Sequence, residues 1–293
     1  VGVTSAASSV GTRRPFHADV AAFAALVGDR GPVAVLGGGT ASAVGGTPAD
    51  DVRIVHAPAG IRSIDVAEMT ARVGAGTSID ELAAALAEVG QEVALGGRTG
   101  GTVGGALAVG WSDLRRPRLG PARDVLLEAD VVDASGRLVR CGGPTVKNVT
   151  GYDLCRLLVG SLGVLACIGE VVVRTRPRPA ASRWTHGAID PDVVSTTLLA
   201  PACHLWDGTT RWVLHEGHPD DVDAAVSALE AAGGRPAEGP PALPPHRWSV
   251  DPGSVDEHVR RATGPVVAEV GIGTLHSTEP QPRRDLAPAA RAV

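Results

Sequence analysis

The segment Gly96 to Gly110, GGRTGGTVGGALAVG, places seven glycines and two threonines in one short stretch with almost no bulk. Backbone without Cβ atoms can lie close against a large flat or charged ligand. A solvated linker would share the glycines, but Leu95, Val103, Leu107 and Val109 are too apolar for one, so a loop inside a folded body is expected. A second glycine run, GGGT at 37–40, directly follows PVAVL (32–36), which reads as a buried strand. Adjacent glycines let several N–H groups turn toward one anion, and the Thr40 hydroxyl adds a donor. Two separated glycine loops suit a dinucleotide, one cradling the diphosphate and the other lying beside the ring. A Rossmann site is excluded on two counts. The spacing is not GxGxxG, and the next strand ends in His56-Ala57-Pro58, where an acidic ribose ligand would be needed.

Around these loops the pattern alternates strands and helices. Asp19 is expected to cap a helix through Phe23, Leu26 and Val27 that stops at Gly28. Strands are expected at 52–58 and 69–76. Ser78 to Glu81 is a capping box, followed by an apolar face of Leu82, Leu86 and Val89 that Gly90 ends. The runs 125–132 and 137–140 read as a hairpin across Asp-Ala-Ser-Gly. A brief helix is expected at 153–159 and a long strand at 164–175, broken or bulged at Gly169. After RPRPAAS (176–182), a linker by composition, come a strand at 211–216, a helix at 220–234, a Pro-rich loop and a further strand at 265–276. The fold class is α+β.

At 293 residues with 44% hydrophobic content the chain can bury one large or two modest cores, and two domains are expected. The net charge of −5 and the absence of long like-charge runs weigh against nucleic-acid and membrane-surface partners. Neither a signal peptide nor a run of about 20 apolar residues is seen, so a cytoplasmic protein without a transmembrane segment is expected. Cys141, Cys155, Cys167 and Cys203 have no CxxC and no zinc-like Cys/His spacing, so no metal site is expected from them.

Six motifs stand in the order typical of one family. PVAVLGGGTAS, the helix after VGAGTSIDEL, GGTVGGALAVGWSD, LGPARDVLLEADVVDASGRLV, KNVTGYDLCRLLVGSLGVL and GEVVVRTRPRP resemble the vanillyl-alcohol-oxidase-like, or PCMH-type, FAD-binding domain. Within it, GPTVKNVTGYDL is most similar to the FAD-binding subunits of glycolate oxidases. The resemblance implies a two-lobed FAD-binding domain over 1–178, with lobes of about 15–75 and 76–178, and a smaller α+β cap domain over 179–293. It implies FAD between the lobes with its ring toward the cap. Gly37, Gly38, Gly39 and Thr40 would hold the diphosphate, and Gly101, Thr102, Gly104 and Gly105 would run beside the flavin. Ser112 would approach the diphosphate or ring, and Gly163, Ile168 and Gly169 the adenosine or ring edge. Lys147, the chain's single lysine, would offer a positive charge to the diphosphate or substrate. Arg115, Arg116, Arg118 and Arg123 either neutralise the diphosphate or form a solvated face. Trp111 either stacks on the flavin or packs in the core. The histidine that attaches flavin covalently in some members is replaced here by Thr40 or Ala41, so the FAD is expected to be non-covalent.

Flavin enzymes acting on 2-hydroxy acids commonly pair a His or Glu base with Arg or Lys clamps. EVGIGTLH (269–276) resembles the family's HxGDGNLH cap motif with its first His, Asp and Asn replaced. Glu269 and His276 remain as catalytic candidates beside Lys147, and they form a poor metal site. Family members usually continue into a tail near the flavin that is not seen here, which is expected to leave the ring pocket incomplete unless another chain closes it. The resemblance therefore implies an FAD-binding oxidoreductase subunit acting on a 2-hydroxy acid beside a second flavoprotein and an iron–sulfur subunit. The alternatives are a flavin-bound assembly subunit without turnover and a stand-alone flavin dehydrogenase of another alcohol or hydroxy acid.

Overall fold

The computed structural model describes residues 14–41, 44, 48–143 and 152–281. The chain divides into two compact units. The first takes residues 1–89, 97–111 and 123–175, and the second takes 90–96, 112–122 and 176–293.

In the first unit, helix α1 (Ala18–Val27) buries Val20, Phe23 and Val27 and leaves Leu26 exposed. His17, not Asp19, caps it, through Nδ1 and the Asp19 amide at 3.3 Å, which leaves the Asp19 carboxylate to pair with Arg62 at 2.9 Å. Strands β1 (Val33–Val35) and β2 (Arg53–Val55) pair in parallel, with Val33 opposite Arg53 and Val35 opposite Val55. After β3 (Ile61–Asp65) and β4 (Thr70–Gly74) comes α2 (Ile79–Glu88), where Ser78 Oγ accepts from the Glu81 amide at 3.0 Å. Leu82 and Leu86 are its buried face.

The chain then contributes β5 (Gln91–Val93) to the second unit, α3 (Val103–Val109) to the first and α4 (Arg116–Leu119) to the second. Strands β6 (Leu126–Val132) and β7 (Leu138–Gly142) form the expected hairpin, followed by α5 (Leu154–Leu158), capped by Asp153, and β8 (Cys167–Pro177). In the first unit's antiparallel sheet the order is β3-β4-β8-β6-β7. The bulge expected at Gly169 is present, because Asp130 faces Glu170 while Val131 faces Ile168. A Cβ at Gly169 would stand 3.2 Å from Val20 and 3.3 Å from Phe23, so the bare backbone there is what lets α1 seat on the sheet.

Three buried carboxylates, Glu128 and Asp130 on β6 and Glu170 on β8, sit on this sheet. Arginines neutralise them: Arg140 grips Asp130 at 2.6 and 2.8 Å, Arg72 meets Glu128 at 2.9 Å, and Arg14 and Arg62 reach Glu170 at 3.2 and 3.4 Å. Buried charges demand such pairing, because an unpaired one would retain its full desolvation cost.

The second unit is a seven-stranded antiparallel sheet in the order β12-β9-β11-β10-β14-β15-β13. Its elements are β9 (Ala181–Gly187), α6 (Pro191–Thr196), β10 (Cys203–Trp206), β11 (Arg211–Gly217), α7 (Pro219–Ala231), β12 (Arg235–Ala237), β13 (His246–Ser249), α8 (Val255–Arg261), β14 (Val266–Glu269) and β15 (Thr274–Ser277). The single strand expected at 265–276 is thus a hairpin, turned at Gly271 and Gly273, whose φ values are 84° and 78°. One core packs α6 and α7 on the sheet through Val194, Val213 and Leu229, and another packs α8 through Val255, Val259 and Leu275.

Candidate flavin site

Strand β1 is too short to hide, and its apolar residues do not sink into the core as a buried strand would. Val33, Ala34, Val35 and Leu36 instead line two adjoining cavities of the first unit, of about 430 and 240 Å3. Three further exposed apolar residues of this unit stand on the same walls: Ile54 lines the larger cavity, Val164 the smaller, and Leu162 both. Exposed hydrophobic surface gathered in one concavity marks a ligand site.

The two glycine loops meet at this cavity wall. A Cβ on Gly37 would strike the Thr102 hydroxyl, one on Gly38 would strike the Gly100 carbonyl oxygen, and one on Gly101 would stand 3.3 Å from Thr40 Oγ1. The glycines therefore let one loop close against the other, a demand made by the protein itself before any ligand. Gly39, with φ 71° and no atom within 4 Å of its would-be Cβ, is glycine for the turn.

Residues 103–109, expected as loop, are helix α3. Thr102 caps it, its Oγ1 accepting from the Gly105 amide at 3.1 Å, and Gly110 ends it in the left-handed region. The first amides of this helix are already committed: Val103 donates to Thr77 O at 2.9 Å and Gly104 to Ala75 O at 2.8 Å. In the first loop the amides of Gly38 and Thr40 have no backbone acceptor among the described residues. The labour is divided accordingly. The first loop has amides to offer an anion, and the second offers a smooth face against which a flat ring can lie.

Each expected cofactor residue among those described has a definite place. Gly38, Gly39, Thr40 and Gly101 line the larger cavity, Gly104, Gly163 and Ile168 the smaller, and Gly37, Thr102 and Gly105 both. Gly169 lies in the bulge under α1 and lines neither. Ser112 belongs to the second unit, where its buried Oγ accepts from the Ala122 amide at 3.1 Å. Lys147 lies outside the described residues.

Sequence reasoning overlooked Arg98, the charged side chain on the larger cavity's wall. It sits over the Trp111 ring at 5.4 Å and donates to Thr40 O at 3.4 Å, so it ties both glycine loops to the aromatic wall. Its position inside the glycine loop was the available signal. Two of the arginines named instead, Arg115 and Arg118, are engaged within the second unit. Arg115 pairs with Glu92 at 2.9 Å, Asp113 at 3.0 Å and Glu216 at 3.3 Å, and Arg118 donates to Glu216 O. Burial works against the Arg115 charge, but Asp113 and Glu92 outweigh it and raise its pKa.

In the second unit, Glu269 and His276 are both buried on the β14–β15 hairpin, with His276 Nε2 2.9 Å from Glu269 Oε1. Arg247 on β13 stands opposite His276 in the register and donates to Thr274 Oγ1 at 3.4 Å. Burial lowers the Arg247 pKa, Glu269 opposes that shift, and Arg116 adds to it. Among the described residues no group of three or more His, Cys, Asp and Glu side chains is arranged to hold a metal ion. No helix there is long and apolar enough to cross a membrane.

Residues 17–142 match a family model described as an FAD binding domain. The glycolate oxidase subunit GlcE of Escherichia coli (strain K12) is 33% identical over 159 residues, covering 53% of this chain and 45% of that protein. A D-lactate dehydrogenase of Archaeoglobus fulgidus is 33% identical over 149 residues, covering 50% of this chain and 34% of that protein. The chain therefore spans less than half the length of either relative. Among solved structures, an alkyldihydroxyacetonephosphate synthase shares the fold with a TM-score of 0.58 at 17% identity, covering 75% of this chain and 52% of that one.

Proposed function

From the premise that residues 17–142 are an FAD-binding domain, we propose that this chain is the FAD-binding part of an oxidoreductase that oxidises a 2-hydroxy acid and passes the electrons to partner subunits, a second flavoprotein and an iron–sulfur protein. The observation that carries the cofactor assignment is the cleft where uncommitted amides of the first glycine loop, the apolar face of β1 and the side chain of Arg98 converge. These groups match the parts of FAD, whose diphosphate needs donors and positive charge and whose rings need apolar, closely approachable walls. The similarity to a glycolate oxidase subunit and a D-lactate dehydrogenase supports the substrate class.

Gly37 to Thr40 and Arg98 would hold the diphosphate, with Thr102, Gly104 and Gly105 beside the flavin. Lys147 would add a second positive charge. Among the described residues no histidine lines either cavity, which supports a non-covalent cofactor. FAD supplies the acceptor for the hydride that leaves the hydroxy acid's carbon. The residues of the chain must then take the hydroxyl proton and hold the carboxylate. Of the catalytic candidates, Glu269 and His276 form a buried pair within the second unit, in which the carboxylate fixes the imidazole's orientation. Arg247 stands opposite His276 on the neighbouring strand.

The rival reading, an assembly subunit that binds flavin without turnover, is favoured by the burial of that same pair, whose imidazole is already engaged by its own carboxylate. Anaerobic addition of glycolate or D-lactate to the FAD-loaded protein separates the two. Prompt bleaching of the flavin absorbance is expected of the oxidoreductase, and a flavin that stays oxidised with both acids marks the assembly subunit.

A further inference from the structure

Two cysteines that the proposed flavin chemistry does not use lie against one another in the first unit. Cys141 is near the end of β7 and Cys155 is in the first turn of α5, both buried, and their sulfurs are 3.8 Å apart. Backbone carbonyls hold the two sulfurs in place. Cys141 Sγ is 3.6 Å from Ala129 O, and Cys155 Sγ is 3.6 Å from both Leu127 O and Cys141 O. Gly142 completes the setting, because a Cβ there would stand 2.6 Å from the Cys155 sulfur and would also strike Leu127 O. Its φ of 77° belongs to the glycine-favoured region, so the residue next to Cys141 both turns the chain and clears the space that Cys155 fills. Among the described residues neither Cys167 nor Cys203 has a sulfur neighbour.

We propose that Cys141 and Cys155 are a disulfide-forming pair, oxidised by hydrogen peroxide and restored by small thiols. A disulfide bond is about 2.0 Å long, so the two sulfurs, 3.8 Å apart, must move closer for the bond to form. In the first step the Cys141 sulfur attacks one peroxide oxygen. The O–O bond breaks, Cys141 becomes a sulfenic acid, and the leaving hydroxide takes the thiol proton to give water. The Cys155 sulfur then attacks the Cys141 sulfur, so that the S–S bond forms and the S–O bond breaks. The departing hydroxide collects the Cys155 proton as a second water. Two thiols lose two electrons and one peroxide gains them. The Cys155 thiol beside Cys141 lowers the pKa of Cys141, while that hydrogen bond and burial raise that of Cys155, which suits Cys141 to strike first. The bond would close the intervening chain, which carries Lys147, into a loop tied at β7 and α5.

The test treats the full-length protein with hydrogen peroxide, quenches it in denaturant with iodoacetamide, and maps the peptides by mass. The four alkylatable thiols should fall to two, with one cross-linked peptide pair containing Cys141 and Cys155 and two hydrogens lost. Reduction by dithiothreitol should restore all four. In Cys155→Ser the cross-link should vanish, and Cys141 should be trapped by dimedone as the sulfenic acid. Should that variant fail to fold, Cys141→Ala must likewise abolish the cross-link. Four intact thiols under conditions that fully oxidise free dithiothreitol in a parallel sample would overturn the proposal, as would a cross-link joining any other pair of cysteines. Neither outcome bears on FAD binding.

Discussion

Gly38 and Gly39 are neighbours in the chain, yet a methyl group does different things at each. At Gly38 it collides with the Gly100 carbonyl of the facing loop, and backbone must move to relieve it. At Gly39 it enters open space and costs only the left-handed conformation, about 1–2 kcal/mol. Gly38→Ala should therefore lower the melting temperature more than Gly39→Ala and should weaken FAD binding at least tenfold in a fluorescence titration. Equal effects would show that the loops do not close on one another as described. Arg98→Gln should also weaken FAD tenfold or more without lowering the melting temperature of the flavin-free protein. A second residue-scale expectation concerns acid. Burial and the neighbouring Arg211, whose Nη1 is 3.2 Å from His204 Nε2, push the His204 pKa down to about 4, and burial lowers that of His215 as well. Above pH 6.5 both are neutral in the folded and unfolded chain, and nothing is lost. Between pH 6.5 and about 4 the unfolded chain binds a proton that the folded His204 refuses, so stability falls as the pH falls, at up to about 1.4 kcal/mol per unit, and the lowered His215 pKa acts in the same direction. Urea melts of His204→Gln across that window should show a shallower fall, and an unchanged slope would contradict the assignment.

The elements that were legible in the sequence are those with a local chemical signature. The Ser78 to Glu81 capping box marked α2, the Asp133 to Gly136 turn marked the β6–β7 hairpin, and Gly169 marked the bulge in β8. Those that were missed carry signatures that contradict their state. Helix α3 is rich in glycine, the poorest helix former short of proline, and it exists because Thr102 caps it and Ala75 and Thr77 accept its first amides. The β14–β15 hairpin hid inside one apolar run because its turn, Val-Gly-Ile-Gly, looks like more strand. Cap removal tests the first case. Ser78→Ala and Thr102→Ala should each cost about 1 kcal/mol in a urea melt, but only Thr102→Ala should also weaken FAD, because Thr102 lines both cavities. Asp130→Asn takes from Arg140 its closest carboxylate, leaving Glu128 at 3.7 Å, and should cost about 3–5 kcal/mol. A loss below about 1 kcal/mol would mean the carboxylate network contributes little to the sheet.

At the scale of the whole molecule, the contiguous division near residue 178 expected from the sequence does not contain the short excursions at 90–96 and 112–122, which belong to the second unit. Contiguous reading cannot see such exchanges, since membership is decided by packing: Leu114 joins the core of Cys203 and Leu205, and Arg115 pairs with Glu216. The excursions explain why Arg115, close in sequence to the glycine loop, serves the second unit's carboxylates and Arg118 the Glu216 carbonyl, while Arg98 lines the cleft. The central claim is that this cleft holds dissociable FAD. Its most direct test is the flavin absorbance of the purified protein, supplemented with FAD and freed of excess, before and after acid precipitation. The account predicts an oxidised flavin spectrum on the native protein and recovery of the flavin in the acid supernatant. A protein that retains no flavin after FAD is added would contradict it.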